Sequence, residues 1–367
     1  MHRYPKGQHD KSLQAWDSAD QYIVEHVLND PEITADSHVT VTNDAFGAIA
    51  VGLSHLKLTC ISDSHVSLLA TKQNIELNEL TMPRWCNSLA SWSNTDVMIL
   101  KLTKNSGYLD FQLNQISQLR SPCKIIACGK TTQVTSNVLK VFDKYFDNVT
   151  TSLAKKKSRL IFAEHNKVVK PKQSKYPISI NWPEQSISLQ SHANVFAKEQ
   201  IDIGGRFLAD HLPDIEAGQY VVDLGCGNGL LGLACLNQLK SSDTSAHILF
   251  TDESFMAVES AKLNVQNNFA DMVTMCEFRQ DDGLTSQAPN SVDVVLCNPP
   301  FHQQNTITEH IAFQMFKQSF LALKSKGCLY VVANSHLPYQ RELKKLFGGF
   351  KVIAQNNKFH LFQCNKN

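Results

Sequence analysis

The chain has 367 residues, 43% of them apolar, and 35 Lys+Arg against 34 Asp+Glu, for a formal net charge of +1. That length predicts two domains with full cores, and the balanced charge excludes a global polyanion-binding signature. No segment has the apolar length of a signal peptide or membrane span. The ten cysteines form no Cys-x-x-Cys pair and no His/Cys cluster at zinc spacing, so no metal is expected. Cys226, Cys235, Cys297 and Cys328 sit in apolar runs as reduced thiols do, which fits a reducing cytoplasm.

In chain order, the first half offers Val41-Thr42-Asn43-Asp44-Ala45-Phe46-Gly47, an apolar strand start running into a turn. Ser62-Asp63 follows, then a helical stretch carrying Asn74 and Asn78, then the apolar run Asp96-Val97-Met98-Ile99-Leu100-Lys101. Between Lys155 and Lys175 eight basic residues face a single acid, Glu164. Two readings stay open for this stretch. It is either a solvated linker or a nucleic-acid contact in which Lys155, Lys156, Lys157 and Arg159 neutralise phosphates. Pro171, Pro177 and Pro183 mark the connection, and the domains are expected at 1–185 and 186–367.

The second half alternates strands and helices. Tyr220–Asp223, His247–Asp252, Val273–Phe278, Val292–Cys297 and Cys328–Ala333 read as strands; Leu230–Leu239, Ser254–Asn267, Glu309–Leu323 and Gln340–Phe347 read as helices. That alternation predicts a parallel α/β sheet covered on both faces. Lys351–Ala354 and Phe359–Gln363, parted by Gln355-Asn356-Asn357-Lys358, close the chain as a hairpin, so the sheet ends antiparallel. The first half repeats this pattern in faded form. Val41–Gly47 lies over Val221–Gly227, Ser62-Asp63 over Thr251-Asp252 with one residue inserted in the second helix, and Asp96–Lys101 over Asp293–Asn298. An internal duplication into two tandem domains follows. With Asn43 at Asp223, Ala45 at Gly225 and Lys101-Leu102 at Asn298-Pro299, only the second copy keeps chemistry.

That chemistry rests on three elements. Asp223-Leu224-Gly225-Cys226-Gly227-Asn228-Gly229 turns from a strand into a helix, where glycines let the main chain approach a ligand. Its Gly-x-Gly-x-Gly spacing lacks the two-residue gap of the dinucleotide fingerprint. Asp223 either receives a ligand ammonium or orders the turn, and Asp252 can accept from both hydroxyls of a ribose. Asp281-Asp282 stands where an adenine amine is met, with Asp282 preferred. Asn298-Pro299-Pro300-Phe301 completes the set. An amine conjugated with a ring is a poor nucleophile, and accepting its N–H bonds out of plane restores its lone pair. Asn298 and the Pro299 carbonyl supply acceptors on a stiff turn, and Phe301 supplies a stacking face. The expected reaction is methyl transfer from S-adenosylmethionine to a planar amine. Asn194, Phe196 and the stretch Ile201–Arg206 precede the first strand and can close over the cofactor; His302 and Gln303 can touch the target.

These motifs resemble those of amino methyltransferases, and the duplication with an inert first copy resembles the bacterial ribosomal RNA guanine-N2 methyltransferases. Leu13-Gln14-Ala15-Trp16, Asn43 to Ala48, His192 to Phe196 and Asn298 to Gln304 are similar to the large-subunit branch of that family, methyltransferase G, over nearly the whole chain. The resemblance implies tandem class I methyltransferase folds and transfer to the 2-amino group of one guanosine in 23S ribosomal RNA. It carries cofactor roles onto Gly225, Gly227 and Asp252, and catalysis onto Asn298 to Phe301. Asp281-Asp282 departs from the two amides expected there. Nothing in the sequence demands an oligomer, and a monomer is expected. The small-subunit branch, a protein-amide methyltransferase and an RNA-binding assembly factor are the alternatives.

Overall fold

The computed structural model describes residues 1–5, 14–165, 173–300, 306–335 and 337–367, without the side chains of 306–309. The chain divides into two compact units, Met1–Tyr176 and Pro177–Asn367.

The first unit contains α1 (Ser18–Leu28), β1 (His38–Thr42), α2 (Ala48–Gly52), β2 (Lys57–Ser62), α3 (His65–Leu77), β3 (Arg84–Asn87) and β4 (Val97–Lys101). It continues with α4 (Ser106–Ser117), β5 (Cys123–Lys130), α5 (Ser136–Asp143), β6 (Thr150–Thr151) and β7 (Ser158–His165). Its seven strands lie in the order β3-β2-β1-β4-β5-β7-β6.

The second unit opens with a hairpin, β8 (Ile178–Trp182) and β9 (Ile187–Ser191), followed by α6 (Ile203–Ala209). Then come β10 (Tyr220–Leu224), α7 (Leu230–Ser241), β11 (His247–Asp252), α8 (Phe255–Asn268), β12 (Cys276–Gln280), β13 (Val292–Cys297) and α9 (Thr306–Ala322). It ends with β14 (Leu323–Asn334), α10 (Tyr339–Phe347), β15 (Lys351–Gln355) and β16 (Phe359–Asn365). The order β12-β11-β10-β13-β14-β16-β15 repeats that of the first unit, with β16 antiparallel to both neighbours. Alternation along the strands feeds two cores. Val221, Ile248 and Val294 point to one face, and Val222, Leu249 and Val295 to the other, as the period of two in a strand requires.

The expected second-half elements are all present, with shifted ends. Val273 and Met275, read as strand, lie in a 3-10 turn over Ala270–Met275, where they pack on the core without pairing. The strand read as Cys328–Ala333 runs from Leu323 to Asn334, directly from the end of α9.

Registers align the two copies differently from the sequence. Asp96 accepts the His38 amide at 2.8 Å, and Asp293 accepts the Tyr220 amide at 2.8 Å. Val39 faces Val97 as Val221 faces Val294. Counting on from these pairs places Val41 at Asp223, and Asn43, at φ 61°, in the seat of Gly225, at φ 72°. Ala45 then falls at Gly227, and Gly47, at φ 75°, at Gly229, at φ 86°. Ser64 and Ser254 both cap the next helix, and Ser62 takes the Ser64 amide as Asp252 takes that of Ser254. The residue matching Asp252 is thus Ser62, not Asp63, and no insertion separates the helices. Lys101 does stand where Asn298 does.

The compact units meet at 176/177, ahead of the domain boundary expected at 185/186. Asn264, fully buried on α8, takes the Gln190 amide at 2.6 Å and donates to the Gln190 carbonyl at 2.8 Å. Asn268 makes the same reciprocal pair with Ser188. Trp182, Ile187 and Leu189 enter the core of the second unit. A cut at 185 would therefore split one hairpin. The first unit grips its own lead-in likewise, Asn74 pairing both ways with His2 at 2.7 and 2.8 Å.

Asn264→Ala leaves the Gln190 backbone and the Asn228 carbonyl without their partner. It is expected to lower unfolding free energy by roughly 2–4 kcal/mol, and Asn268→Ala at the more exposed pair by less than half as much. Urea melts of the two variants check this; equal losses would mean the buried grip does not hold the hairpin.

Candidate functional site: a glycine turn and an orphaned amide

The turn leaving β10 passes through three left-handed residues, Gly225, Gly227 and Gly229, at φ 72°, 56° and 86°. Each position strains any side chain, but they are not equivalent. A Cβ at Gly227 would meet nothing within 4 Å, and one at Gly225 only the Met315 terminal methyl. Bare main chain thus faces open space there. At Gly229 a Cβ would lie 3.0 Å from that of Ala261. Gly229 is bare for helix packing, letting α7 approach α8.

Asp223 resolves the two roles considered for it toward ordering the turn. It is 1% exposed and accepts the Gly232 amide at 2.8 Å, tying β10 to the first turn of α7. Burial pushes its carboxyl up to about 8; the Gly232 amide opposes that and the charge of Asp252 adds to it. Asp252, at the end of β11, accepts the Gly227 amide at 3.0 Å and the Ser254 amide at 2.9 Å. Both of its carboxylate oxygens are thereby oriented by backbone amides.

Past β12 the two acids separate. Asp281 is buried and spent on its own turn, accepting from the Asp282 amide and from the Ser286 amide and hydroxyl. Asp282 is less buried and accepts from Gln314 Nε2 at 2.9 Å, while Gln318 donates to its carbonyl. This supports Asp282 over Asp281. Gln314 comes from α9, where no motif spacing singles it out.

Asn298 follows β13 directly. Its Nδ2 donates to Asp202 Oδ2 at 2.6 Å, and the same oxygen takes the Gly205 amide at 2.6 Å as the cap of α6. Asn298 Oδ1 is buried with no hydrogen-bond partner among the described residues. An unpaired buried acceptor costs about 1–3 kcal/mol, and such orphans concentrate where a ligand supplies the missing donor. Pro299 is buried and Pro300 exposed. Phe301, His302 and Gln303 lie outside the described residues. Phe196 is 66% exposed, and Ile203 beside Asp202 is 58% exposed.

The same seat in the first unit is closed. Lys101 Nζ lies 2.5 Å from Asp20 Oδ1 and 3.4 Å from Asp17 Oδ1. Asp44 accepts the amides of Ala48, Ile49 and Ala50 at 2.9 to 3.0 Å, so the start of α2 is capped by its own chain.

The basic cluster is divided by the fold. Lys155 pairs with Glu25 and lies over the Tyr22 ring, so it is not a free cation. Arg159 is half-buried, its Nε without a partner among the described residues. Lys156 and Lys157 are exposed at φ 46° and 62°, the centre of a two-residue hairpin loop closed by Lys155 and Ser158.

Residues 1–167 match the family model described as RLMG N-terminal domain, and residues 186–363 that of the methyltransferase small domain. The fold and the turn-plus-amide site define a methyltransferase. Ribosomal RNA large subunit methyltransferase G of Colwellia psychrerythraea is 41% identical, with 98% of this chain and 95% of that protein covered. The protein of the same name from Klebsiella pneumoniae is 40% identical, covering 100% and 96%. The chain belongs to the ribosomal RNA large subunit methyltransferase G family. The T. thermophilus 16S rRNA N2 G1207 methyltransferase, solved with AdoMet and guanosine, shares the fold at a TM-score of 0.77 and 16% identity, covering 94% of this chain and 92% of its own. No described helix is long and apolar enough to cross a membrane.

Asp223 gives a pH signature. Its folded value near 8 lies above the unfolded carboxylate range near 4, so the folded state holds the extra proton between them and stability falls as pH rises through that window. Asp223→Asn keeps an acceptor for the Gly232 amide and cannot titrate. Wild type is expected to lose stability relative to this variant between pH 4 and 8, and the difference to be flat outside it. Denaturant midpoints across that range check this; a constant difference would place an ionised Asp223 in the fold.

Proposed function

We propose that the chain transfers the methyl group of S-adenosylmethionine to the exocyclic 2-amino group of a guanosine in 23S ribosomal RNA, and that the second unit does so. The observation that carries this reading is Asn298 Oδ1, a buried acceptor fixed in orientation and lacking a donor among the described residues. Gly225 and Gly227 offer the cofactor bare main chain, Asp252 the acceptors for its ribose, and Asp282 an acceptor for its adenine amine. Gly229 and Asp223 support these from behind. The bound cofactor supplies an electrophilic methyl on a sulfonium.

The protein's part is to prepare the amine. Asn298 Oδ1 takes one N–H and the Pro299 carbonyl the other, drawing both out of the ring plane so that the nitrogen lone pair faces the methyl. Carbon–nitrogen bond formation accompanies carbon–sulfur cleavage, and the cationic nitrogen then loses its proton to water. No strong base is needed at the site. Phe301 supplies the stacking face.

The first unit holds RNA and binds no cofactor. Val41, Ala45 and Ser62 stand at the seats of Asp223, Gly227 and Asp252, and Asp44 occupies the helix start. Guanine in a duplex hides its amine in the minor groove, so the base must be extruded or single-stranded, and backbone contacts elsewhere offset the unstacking. Lys156 and Lys157 make such contacts.

Asn298→Ala is expected to slow single-turnover methylation by about 10²–10³ while cofactor affinity measured by calorimetry stays within a few-fold. A near-normal rate would remove Asn298 from catalysis, and a large affinity loss would make it a cofactor residue.

A two-residue loop with both φ positive prefers Asn-Gly, and two lysines there are strained. Changing Lys156 to Asn and Lys157 to Gly together is expected to raise the melting temperature and weaken RNA binding. The log–log salt slope should fall by up to about 0.7–0.9 per lost phosphate contact. Greater stability with an unchanged slope would leave the lysines as solvated loop residues.

A further inference from the structure

Asp202 lies 96 residues before Asn298, on the approach to α6, and its carboxylate is the partner of the Asn298 amide. We propose that Asp202 is a positioning residue for methyl transfer, fixing which end of the Asn298 amide meets the target amine. This rests on the reading of Asn298 given above.

The argument starts from hydrogen-bond chemistry. An ionised carboxylate only accepts, whereas an amide both donates and accepts. Facing Asp202, Asn298 must present Nδ2, and Oδ1 is thereby turned away from it, without a partner among the described residues. Without the carboxylate either orientation of the amide is open, and in one of them NH₂ confronts NH₂. The contact is also charge-assisted, so it draws density through the amide toward Oδ1, strengthening that oxygen as an acceptor just as the target nitrogen becomes cationic.

Asp202 itself is held. Its Oδ2 takes the Gly205 amide at 2.6 Å, and backbone and amide donors converge on one oxygen. Gly205 leaves room for this pair. A Cβ there would sit 3.2 Å from Asp202 Oδ2, closer than most Cβ contacts, so the carboxylate would have to shift by a few tenths of an ångström.

The first unit supplies an internal comparison. Asp17 caps α1 as Asp202 caps α6, and Asp20 stands three residues on, as Gly205 does after Asp202. Where the strand-end residue is Lys101, the bare position has become an acid, and both carboxylates grip an ammonium. The capping acid persists in both copies, but only beside glycine does it meet an amide with its oxygen left over. The bare position and the amide change together while the capping acid stays.

The test separates orientation from folding. Asp202→Ser keeps an N-cap acceptor for the Gly205 amide, since serine caps about as well as aspartate, but does not reach and hold the Asn298 amide. On the full-length chain with protein-free 23S ribosomal RNA, it is expected to lower kcat by about 10–100-fold, the usual effect of losing a group that orients a working residue. KM for RNA, cofactor affinity and melting temperature should barely move. Placed on Asn298→Ala, it should cost nothing further, because it acts only through that amide. Losses that multiply in the double variant, an unchanged kcat, or a loss that tracks the melting temperature would each overturn the proposal. Should the serine variant fold poorly, Asp202→Thr, also an N-cap residue too short to hold the Asn298 amide, is run through the same cycle. If Asn298→Ala alone keeps its rate, the assignment of Asn298 fails instead; if it loses rate and the Asp202 variants do not, only the positioning role fails.

Discussion

One hydrogen bond, from the Asn298 amide nitrogen to Asp202, organises the catalytic end of the second unit. It requires the cap of α6 to sit over the end of β13, which places the approach to the sheet against the strand that carries the amide. It is crowded by any side chain at 205. It also leaves a buried oxygen without a partner among the described residues, a local cost that the surrounding core must outweigh. Val221, Val222, Val294, Val295, Leu296 and Cys297, all essentially buried, hold β10 and β13 in register. The glycine turn and the amide therefore emerge side by side from adjacent strands.

The two units show which parts of the fold are scaffold and which are chemistry. The capped helices, the acid that pins the central strand and the asparagine that grips the lead-in recur with nearly the same distances. The positions proposed to face ligands do not recur. Gly227 is matched by Ala45, Asp252 by Ser62, and Asn298 by Lys101. In the first unit Lys101 pairs with Asp20 and Asp17, and the start of α2 is capped by Asp44.

Much of this was legible in the sequence because it follows from local pattern. Alternating apolar runs marked the strands and the antiparallel close, and the glycine turn with Asn298-Pro299-Pro300-Phe301 marked the class of chemistry. The failures have physical reasons. Matching by residue identity laid Asp63 on Asp252, whereas backbone angles and caps, invisible in the sequence, put Ser62 there. Pro183 read as part of a linker, yet it starts a single 3-10 turn inside a hairpin that α8 holds. Lys155 counted as a free cation because its partner, Glu25, is 130 residues away. Asp202 lay in a stretch already noted, but its role depends on a contact across 96 residues, and no spacing rule reaches that far.

The Asp44 side chain at the start of α2 has a consequence for ligand access. Its three hydrogen bonds make it a tethered competitor, present at an effective concentration no free ligand can match. Returning glycine to position 45 or an acid to position 62 would leave that competitor in place, and removing Asp44 alone would expose three amides with nothing to bind. Each single change therefore leaves the helix start either occupied or uncapped, and only a combined change would open it to a ligand.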